Sequence, residues 1–270
     1  MPASPKDFEP LDFIALGEGP GIVMIHGTGA DAEYNWRHFL KSLTHGFRIV
    51  APNLPGSGKS RPQTNPLEVP TLAAQVVAAA DAAGVDGAFD VVGHSLGAIV
   101  AVGVAAAAPD RVRSLALHGG FVTAGPRERL MFQMWERLLT LDKSLLARIM
   151  ILNVMSPALL AGASQKEMDA LVGMVASDLH AGMAGQINLD GRVDIADLLA
   201  AIHVPTLVLA SADDQIMPTY HQRALAGGIT GSIYKELPGG HGVPFENSQP
   251  FLSEIENWIS AQHKQPNTTT

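Results

Sequence analysis

Three short motifs, far apart in the chain, carry residue types that together can perform nucleophilic catalysis. The first is a G-x-S-x-G match, Gly93–Gly97, with Ser95 at its centre. The second is the pair Asp213-Asp214, and the third is His241, which lies in a glycine-rich loop. A serine hydroxyl is a weak nucleophile until a histidine takes its proton, and a carboxylate must in turn orient that histidine. The three motifs supply a residue for each of these tasks.

The sequence around Ser95 is typical of a sharp turn between a strand and a helix. A mostly apolar run, Phe89–Val92, precedes the motif, and a long run of small residues, Leu96–Ala108, follows it. Such a turn exposes the serine hydroxyl above the sheet edge, and the flanking glycines allow the strand and the helix to approach each other closely. The alternative is a turn serine that only caps the next helix. We favour the nucleophile, because candidate partners follow in the order Ser, acid, His.

The candidate acid and the candidate base each follow a strand-like run. Thr206–Ala210 ends shortly before the two aspartates, and Ser232–Leu237 ends shortly before His241. Ligand sites in open α/β sheets collect at the carboxyl ends of strands. From this placement, either Asp213 or Asp214 can accept the Nδ1–H of the histidine and fix its tautomer. Loop solvation or helix capping is the alternative role for both aspartates.

The loop after the run Gly21–Ile25 offers backbone donors for a developing negative charge. We predict that the N–H groups of Thr28 and Leu96 hold the oxyanion of a tetrahedral intermediate, although the residues alone do not separate Thr28 from Gly29. The same loop also fits a dinucleotide fingerprint, but the next strand ends at Asn53 without the carboxylate that would hold a ribose. Asn53 also stands where a complete P-loop needs glycine, so a phosphate-binding loop is disfavoured.

Strand-like runs alternate with helix-like segments along most of the chain. The predicted strands are Leu11–Leu16, Gly21–Ile25, Phe47–Ala51, Phe89–Val92, Val112–Leu117, Thr206–Ala210 and Ser232–Leu237. The predicted helices are Tyr34–Thr44, Leu72–Ala83 with Thr71 as its N-cap, Leu96–Ala108, Thr219–Ala226 and Pro250–Gln262. Several strand runs are almost continuously apolar, which is typical of strands covered on both faces. The pattern predicts an α/β protein with a mostly parallel, doubly wound sheet of about 7–8 strands.

One segment, residues 121–202, breaks this alternation. Its pattern is helical, and it contains seven of the ten methionines of the chain. We expect it to be a helical cap or lid inserted into a core domain of residues 1–120 and 203–262, with a disordered tail at 263–270. The methionines are either a deformable wall for the substrate or fillers in the packing of the cap itself.

Side chains of this segment and of the loops beside the motifs are candidates for the substrate pocket. The predicted pocket residues are His26, His94, Met131, Met134, Trp135, Met155 and Val243. Four polar residues of the cap are candidates to hold a substrate carboxylate: Arg148, Asn153, Asn188 and Arg192. Solvation at the surface is the alternative role for these four.

Composition excludes several classes of partner. The chain has 270 residues, a net charge of −8 and scattered basic residues, so nucleic acid is not expected as a partner. The absence of cysteine excludes disulfides, thiolate metal sites and cysteine nucleophiles. Histidine spacings typical of zinc sites are missing, and we expect neither a metal nor a cofactor. No secretory signal and no membrane-length apolar run is visible, which predicts a cytoplasmic monomer or homodimer that acts on a small molecule without a membrane.

With these motifs, the chain resembles the α/β-hydrolase fold superfamily, in its capped serine-hydrolase branch, over about Leu11–Ser260. The H-G-x-G loop of that family matches His26–Gly29, and its G-H-S-x-G elbow matches Gly93–Gly97. The resemblance therefore implies Ser95 as the nucleophile. The G-H pair near the end of the family's chain matches Gly240 and His241.

The resemblance also separates the two aspartates. The family's acid usually lies four residues before a proline, and Asp214 stands in that relation to Pro218. Two positions depart from the family pattern: Asn53 stands where many relatives carry aspartate, and Ser211 stands where they often have glycine. A serine nucleophile, rather than an aspartate, argues against the dehalogenase and epoxide-hydrolase branches.

The resemblance implies a reaction class. It implies hydrolysis of an ester, lactone or thioester of a fairly apolar small molecule, through a Ser-His-Asp triad and an acyl-enzyme. The same site supports amide hydrolysis, C–C bond hydrolysis or perhydrolysis. A small-molecule binding protein or receptor with little turnover is a further alternative, because the family includes such proteins.

Overall fold

A computed structural model describes residues 9–43, 45–246 and 249–264 of the protein. Its strands are β1 (Phe13–Leu16), β2 (Gly21–Ile25), β3 (Arg48–Pro52), β4 (Phe89–His94), β5 (Val112–His118), β6 (Thr206–Ser211) and β7 (Ile233–Leu237). They form one sheet in the order β1-β3-β2-β4-β5-β6-β7. Only the pairing of β1 with β3 is antiparallel. The predicted α/β class and mostly parallel sheet are confirmed.

Helices connect these strands. They are α1 (Ala32–Trp36), α2 (Phe39–Ser42), α3 (Val69–Ala82), α4 (Leu96–Ala107), α5 (Pro126–Leu141), α6 (Lys143–Val154), α7 (Pro157–Gly162), α8 (Gln165–Asp178), α9 (Ala184–Asp190), α10 (Ala196–Leu199), α11 (Thr219–Gly228) and α12 (Gln249–Lys264). The predicted helix Tyr34–Thr44 is in fact two short helices, and its last residue, Thr44, lies outside the described residues. The prediction of Thr71 as the N-cap of the second helix was wrong, because α3 already begins after Glu68. Proline in the first turn does not stop this helix, since the N–H groups there have no intrahelical acceptor.

The sheet is buried on both faces. Every residue of β2 and β4 is buried, including the polar Asp90 and His94 of β4; the continuously apolar sequence of β2 predicts this burial. On one face, α4 packs against α3, and its small residues allow close approach: a side chain added at Gly103 would strike Val69. On the other face, aromatic residues of α1, α2 and α12 pack together, with Trp36, Phe39 and Phe251 fully buried. The two apolar layers hold the strand ends in fixed positions.

The segment 121–202 lies between β5 and β6 and contains α5 to α10. Its described residues form helices and loops, apart from one isolated antiparallel bridge between Thr123 and Asp194. Within it, α5 packs against α9, and α6 packs against α8. We refer to residues 121–202 as the inserted segment. Its division from a core of residues 1–120 and 203–262 stays a prediction.

The predicted tail, 263–270, begins two residues too early. His263 and Lys264 belong to α12, and the Nε2 atom of His263 lies 2.7 Å from the Oδ2 atom of the buried Asp90. That hydrogen bond explains why the helix continues. Residues 265–270 lie outside the described residues, as do residues 1–8. Within the described ranges, no helix combines the length and the apolarity that a membrane crossing requires.

Candidate active site

Ser95 occupies a strained turn between β4 and α4. Its φ of 55° and ψ of −120° make it the one non-glycine residue with positive φ in the described part of the chain. Its backbone N–H donates to the carbonyl oxygen of His118 on β5, at 2.8 Å. Gly97 is required here because a Cβ atom would strike the carbonyl oxygen of Ile25. The turn is the tight strand-to-helix junction that exposes a serine hydroxyl at the sheet edge.

Ser95, His241 and Asp214 form one hydrogen-bonded row. The Nε2 atom of His241 lies 2.9 Å from the Oγ atom of Ser95, and its Nδ1 atom lies 2.7 Å from Oδ2 of Asp214. An ionised carboxylate only accepts hydrogen bonds, so Nδ1 carries the proton and Nε2 is left to accept the proton of the serine hydroxyl. The second oxygen of Asp214 accepts the N–H of Met217 at 2.7 Å. Asp213 is exposed, and the structure thus brings Asp214 rather than its neighbour to the histidine.

Two further histidines lie behind this row. The Nδ1 atoms of His94 and His118 are 3.0 Å apart, and Nε2 of His118 lies 2.9 Å from Oγ of Ser211. Burial, and then the proximity of His241, holds the pKa of both rings well below the usual value of histidine. Both rings are therefore neutral near pH 7 and place no competing positive charge beside His241. Ser211, which stands where relatives often have glycine, supplies the hydroxyl that contacts His118.

Gly119, the residue after β5, sets how closely the chain approaches His241. Its φ is +64°, and an added Cβ atom would lie 2.8 Å from Cε1 of the imidazole. A larger residue would therefore be strained and would also push the ring away from Ser95. Sequence analysis did not identify this position, because nothing local to it indicates which ring lies above.

In the loop after β2, the backbone N–H of Gly29 makes a hydrogen bond within the protein, whereas that of Thr28 does not among the described residues. The N–H of Gly29 donates to Oε1 of Gln186 at 2.9 Å. For the N–H groups of Thr28 and Leu96, no acceptor is found among the described residues. This arrangement favours Thr28 over Gly29 as a donor, an alternative that the sequence left open.

His26 connects the loop after β2 to the loop after β3 by hydrogen bonds to the backbone. Its Nδ1–H donates to the carbonyl oxygen of Gly27 at 2.8 Å, and its Nε2 accepts the N–H of Leu54 at 2.9 Å. Burial lowers the pKa of His26 to about 4, so the ring is neutral. His26 was predicted to line the pocket, but both of its nitrogen atoms are bound to backbone and it does not reach the cavity.

A cavity of about 390 Å³ opens over Ser95 and His241. Three of the predicted pocket residues, His94, Trp135 and Met155, line it. Its apolar wall comes mainly from the inserted segment and includes Phe132, Trp135, Met150, Met155, Met174 and Leu179. Both roles that the sequence left open for the methionines occur: Met150, Met155 and Met174 line the cavity, whereas Met131 and Met183 are buried in the packing.

Three further predicted pocket residues lie elsewhere. Met134 is on the outer side of α5 and is 41% exposed. Met131 is buried in the packing of α5, while Phe132 and Trp135 of the same helix reach the cavity. Val243 packs into the apolar layer that contains Phe251 and the aromatic residues of α1 and α2. A helical period shows which residues share a face, but it does not show which face meets the cavity.

The lining of the cavity contains three aspartates and three histidines, His94, His180 and His241. Among the described residues that line it, Asp31, Asp178 and Asp190 carry carboxyl groups, and no lysine or arginine is present. The predicted holders of a substrate carboxylate, Arg148, Asn153, Asn188 and Arg192, do not line it. Arg192 is instead bound to Oε1 of Glu68 at 2.8 Å and to Oδ1 of Asn188 at 3.0 Å, which holds it at the surface.

Asp190 and Gln186, one helical turn apart on α9, contact the loop after β2 at Thr28 and Gly29; because Thr28 is the predicted oxyanion donor, we call this loop the oxyanion loop. The Thr28 hydroxyl donates to Oδ2 of Asp190 at 2.5 Å, beside the bond of Gln186 to Gly29. The side-chain NH₂ of Gln186 donates to the carbonyl oxygen of Pro55 and to Oγ of Ser57, each at 3.0 Å. Sequence analysis missed both residues, because their partners are more than a hundred positions away.

The fold and the site define a hydrolase. The chain matches the family of the alpha/beta hydrolase fold over residues 20–248, and it belongs to that family. The predicted membership of the α/β-hydrolase superfamily is thereby confirmed, and its capped serine-hydrolase branch stays a prediction. In the described part of the chain, no group of three or more His, Asp or Glu side chains is arranged to hold a metal ion.

Individual relatives extend this comparison. A pyrrolizixenacetamide deacetylase of Xenorhabdus hominickii is 35% identical over 248 residues, which are 91% of this chain and 93% of that protein. The malate-bound structure of a thermophilic esterase from Thermogutta terrifontis superposes with a TM-score of 0.82 at 25% identity, covering 94% of both chains. An enol-lactonase from Burkholderia xenovorans LB400 shares the fold, with a TM-score of 0.80 at 22% identity, covering 93% of this chain and 96% of that chain.

Proposed function

We propose that the protein is a serine hydrolase that cleaves a carboxylic ester, lactone or thioester of a fairly apolar small molecule through an acyl-enzyme. The observation that carries this proposal is the row of Ser95, His241 and Asp214 at the floor of a cavity with apolar walls. A strained serine, a histidine in the correct tautomer and an orienting carboxylate are the parts that acyl transfer needs.

The geometry supports the following sequence of steps. The Oγ atom of Ser95 attacks the substrate carbonyl carbon while Nε2 of His241 takes the hydroxyl proton. The N–H groups of Thr28 and Leu96 stabilise the negative oxygen of the tetrahedral intermediate. His241 then protonates the leaving alcohol or thiol, and the acyl-enzyme remains. A water molecule, deprotonated by His241, attacks the acyl carbon and releases the acid and Ser95.

Asp214 acts through His241 in this scheme. Its carboxylate receives the Nδ1–H and stabilises the imidazolium that forms in both half-reactions. The Met217 N–H on its other oxygen prevents the carboxylate from rotating away. Neutral His94 and His118 allow the positive charge to develop on His241 alone.

The cavity supports a small substrate. A volume of about 390 Å³ falls within the range of pockets that enclose small organic ligands. We propose that the inserted segment acts as a cap, because its helices contribute most of the apolar wall over Ser95. Excluding water there strengthens the hydrogen bonds that hold the oxyanion. The flexible methionines Met150, Met155 and Met174 adapt this wall to acyl groups of different shape.

Amide hydrolysis is a second candidate. The 35% identical relative is named as a deacetylase of an acetamide, and it matches over almost all of both chains. The same row of residues serves amide cleavage, provided that His241 protonates the leaving nitrogen. The esterase and the enol-lactonase named above favour the ester and lactone alternatives.

Labelling with a fluorophosphonate tests the nucleophile. The intact protein should form a covalent adduct on Ser95, and the Ser95→Ala variant should not. Ser177→Ala, which removes an exposed hydroxyl on α8, is the matched control and should label normally. A panel of p-nitrophenyl esters of increasing chain length, with lactones and acetanilides beside it, then identifies the bond that is cleaved. Folded protein that neither labels nor turns over any of these compounds would be a binding protein instead.

A further inference from the structure

Asp190 is a buried carboxyl group at the cavity that the proposed reaction does not use. It is the last residue of α9, is only 2% exposed and belongs to the cavity lining. Its Oδ2 atom accepts the hydroxyl of Thr28, whereas its Oδ1 atom has no hydrogen-bond partner among the described residues. A buried carboxyl oxygen without a partner is unusual and energetically costly, so its retention needs an explanation.

The lack of a protein partner for this oxygen, in a residue that lines the cavity, favours a role toward a ligand over a role in the fold. Asp190 makes no ion pair within the described residues, and its one side-chain partner is neutral. Burial raises its pKa to about 7, which shows how poorly the protein itself solvates the charge. A strongly perturbed carboxyl group that lines a cleft is a candidate for ligand binding.

We propose that Asp190 is a substrate-recognition residue whose Oδ1 atom accepts a hydrogen bond from an N–H group of the substrate. This proposal rests on the proposed function and names its substrate class: small acyl compounds that carry an amine or amide nitrogen near the scissile bond. The bond from Thr28 to Oδ2 holds the carboxyl group beside the oxyanion loop. A nitrogen bound at Oδ1 therefore lies on the same side of the cavity as the predicted oxyanion donors.

The charge of the cavity agrees with this substrate class. The lining contains Asp31, Asp178 and Asp190 but neither lysine nor arginine within the described residues. A cationic or neutral substrate is tolerated there, whereas a substrate carboxylate would meet like charges without a lysine or arginine to pair with. The apolar wall contributed by Trp135 and Met174 contacts the rest of the molecule.

Two esters of nearly equal shape test the recognition. 2-(Dimethylamino)ethyl acetate is protonated near neutral pH and carries an N–H donor, and 3-methylbutyl acetate is its neutral isostere without one. Their affinities are measured by calorimetry near pH 7.5 on Ser95→Ala protein, which cannot form the acyl-enzyme, so that binding is read without turnover. We expect the ammonium ester to bind roughly tenfold or more tightly than the neutral ester, as one hydrogen bond to a charged group predicts.

Adding Asp190→Asn to the Ser95→Ala protein should abolish this preference. Asparagine retains an oxygen for the Thr28 hydroxyl and nearly the same shape, so the neutral ester should bind to within about threefold of its former affinity. Asp197→Asn, which removes an exposed carboxylate of α10 in the same segment, is the matched control and should keep the preference. A thermal unfolding scan of each variant verifies that it is folded.

Equal affinity for the two esters, or a preference that survives Asp190→Asn, would overturn the recognition proposal. Failure of the proposed function is visible separately, because it appears as absence of fluorophosphonate labelling and of turnover in the protein with Ser95 intact.

Discussion

Asp214 and Asp190 are two buried carboxyl groups near one cavity, and they are held differently: Asp190 lines the cavity, whereas Asp214 contacts His241, which lines it. Asp214, beyond the end of β6, accepts hydrogen bonds on both oxygens, from His241 and from the Met217 N–H. Asp190, at the end of α9, accepts one on Oδ2 only, and burial raises its pKa to about 7. A carboxyl group with both oxygens occupied orients a neighbour, whereas one with a free oxygen retains the capacity to bind a ligand.

Removing the charge of Asp214 should have the largest effect on catalysis, because this carboxylate orients His241. In Asp214→Asn, the amide can present N–H to His241 and select the wrong tautomer, so kcat should fall by about 10⁴-fold. Asp213→Asn is the matched control; its carboxylate is exposed and its kcat should stay within about threefold of the original. Steady-state kinetics on the best ester of the panel measures both. The reverse ranking would show that the hydrogen-bonded row does not act as the catalytic triad.

For Asp190, the raised pKa predicts that the stability of the folded protein changes with pH. The pKa of Asp190 is raised from 3.8 to about 7 in the folded protein, so the folded state binds the proton more tightly than the unfolded state. This group's contribution to the free energy of unfolding is therefore fully present below about pH 4 and is lost as pH rises through about 7. Asp190→Asn removes that loss and should be more stable than the original by roughly 2–4 kcal/mol at pH 8, but not at pH 4.

Urea unfolding of both proteins at the two pH values measures this difference. Among the described residues, the side-chain partner of Asp190 is the neutral Thr28 hydroxyl, so no paired charge should mask the titration. Asp197→Asn should show no comparable dependence, because that carboxylate is exposed. An unchanged difference between the original protein and Asp190→Asn from pH 4 to pH 8 would mean that the Asp190 carboxyl is better solvated than its burial indicates.

Gln186 lies on the same helix as Asp190 and contacts the same loop, so a variant at this position tests what the helix contributes to the loop. Gln186→Met removes the acceptor of the Gly29 N–H and both bonds of the side-chain NH₂. The loop then loses its support, and kcat should fall about 10- to 100-fold with little change in KM, since a misplaced oxyanion donor affects the transition state most. Gln165→Met, at an exposed position on α8, is the control.

A second readout separates misplacement of the loop from simple loss of stability. Affinity for a boronic acid that mimics the tetrahedral intermediate should fall by the same factor as kcat. If kcat and boronate affinity were both unchanged in Gln186→Met, the loop would be positioned without the glutamine.

The elements that bear the row of Ser95, His241 and Asp214 were largely predictable from sequence. Strand-like runs predicted all seven strands. The runs of β2 and β6 are almost continuously apolar because both faces of these strands are buried, whereas the run of the edge strand β7 contains Lys235 and Glu236. The G-x-S-x-G motif predicted the elbow because only glycine tolerates the close approach at Gly97. Local sequence carries these features, since the interactions that impose them lie within a few residues or repeat along a strand.

The departure at Asn53 shows where local sequence stops being informative. Its side-chain NH₂ donates to Oδ2 of Asp12 at 2.8 Å, and its Oδ1 accepts the N–H of Ala32 at 2.8 Å. An aspartate here would place two carboxylates against each other. The reason for asparagine lies in a residue of the first strand region, 41 positions away, which no motif connects to it.

The amino-acid sequence by itself determined the alternation of strands and helices, the strained serine and the order of its candidate partners, because these depend on local backbone preferences and on hydrophobic pattern. The spacing of Asp214 from Pro218 had already indicated the acid. Only the tertiary structure decided which side of α5 meets the cavity, and that α9 brings Gln186 and Asp190 to the oxyanion loop. Those outcomes depend on how separate helices and loops pack against one another. The physical reason is that side-chain contacts between distant segments, unlike strand and turn propensities, leave no periodic signal in the chain.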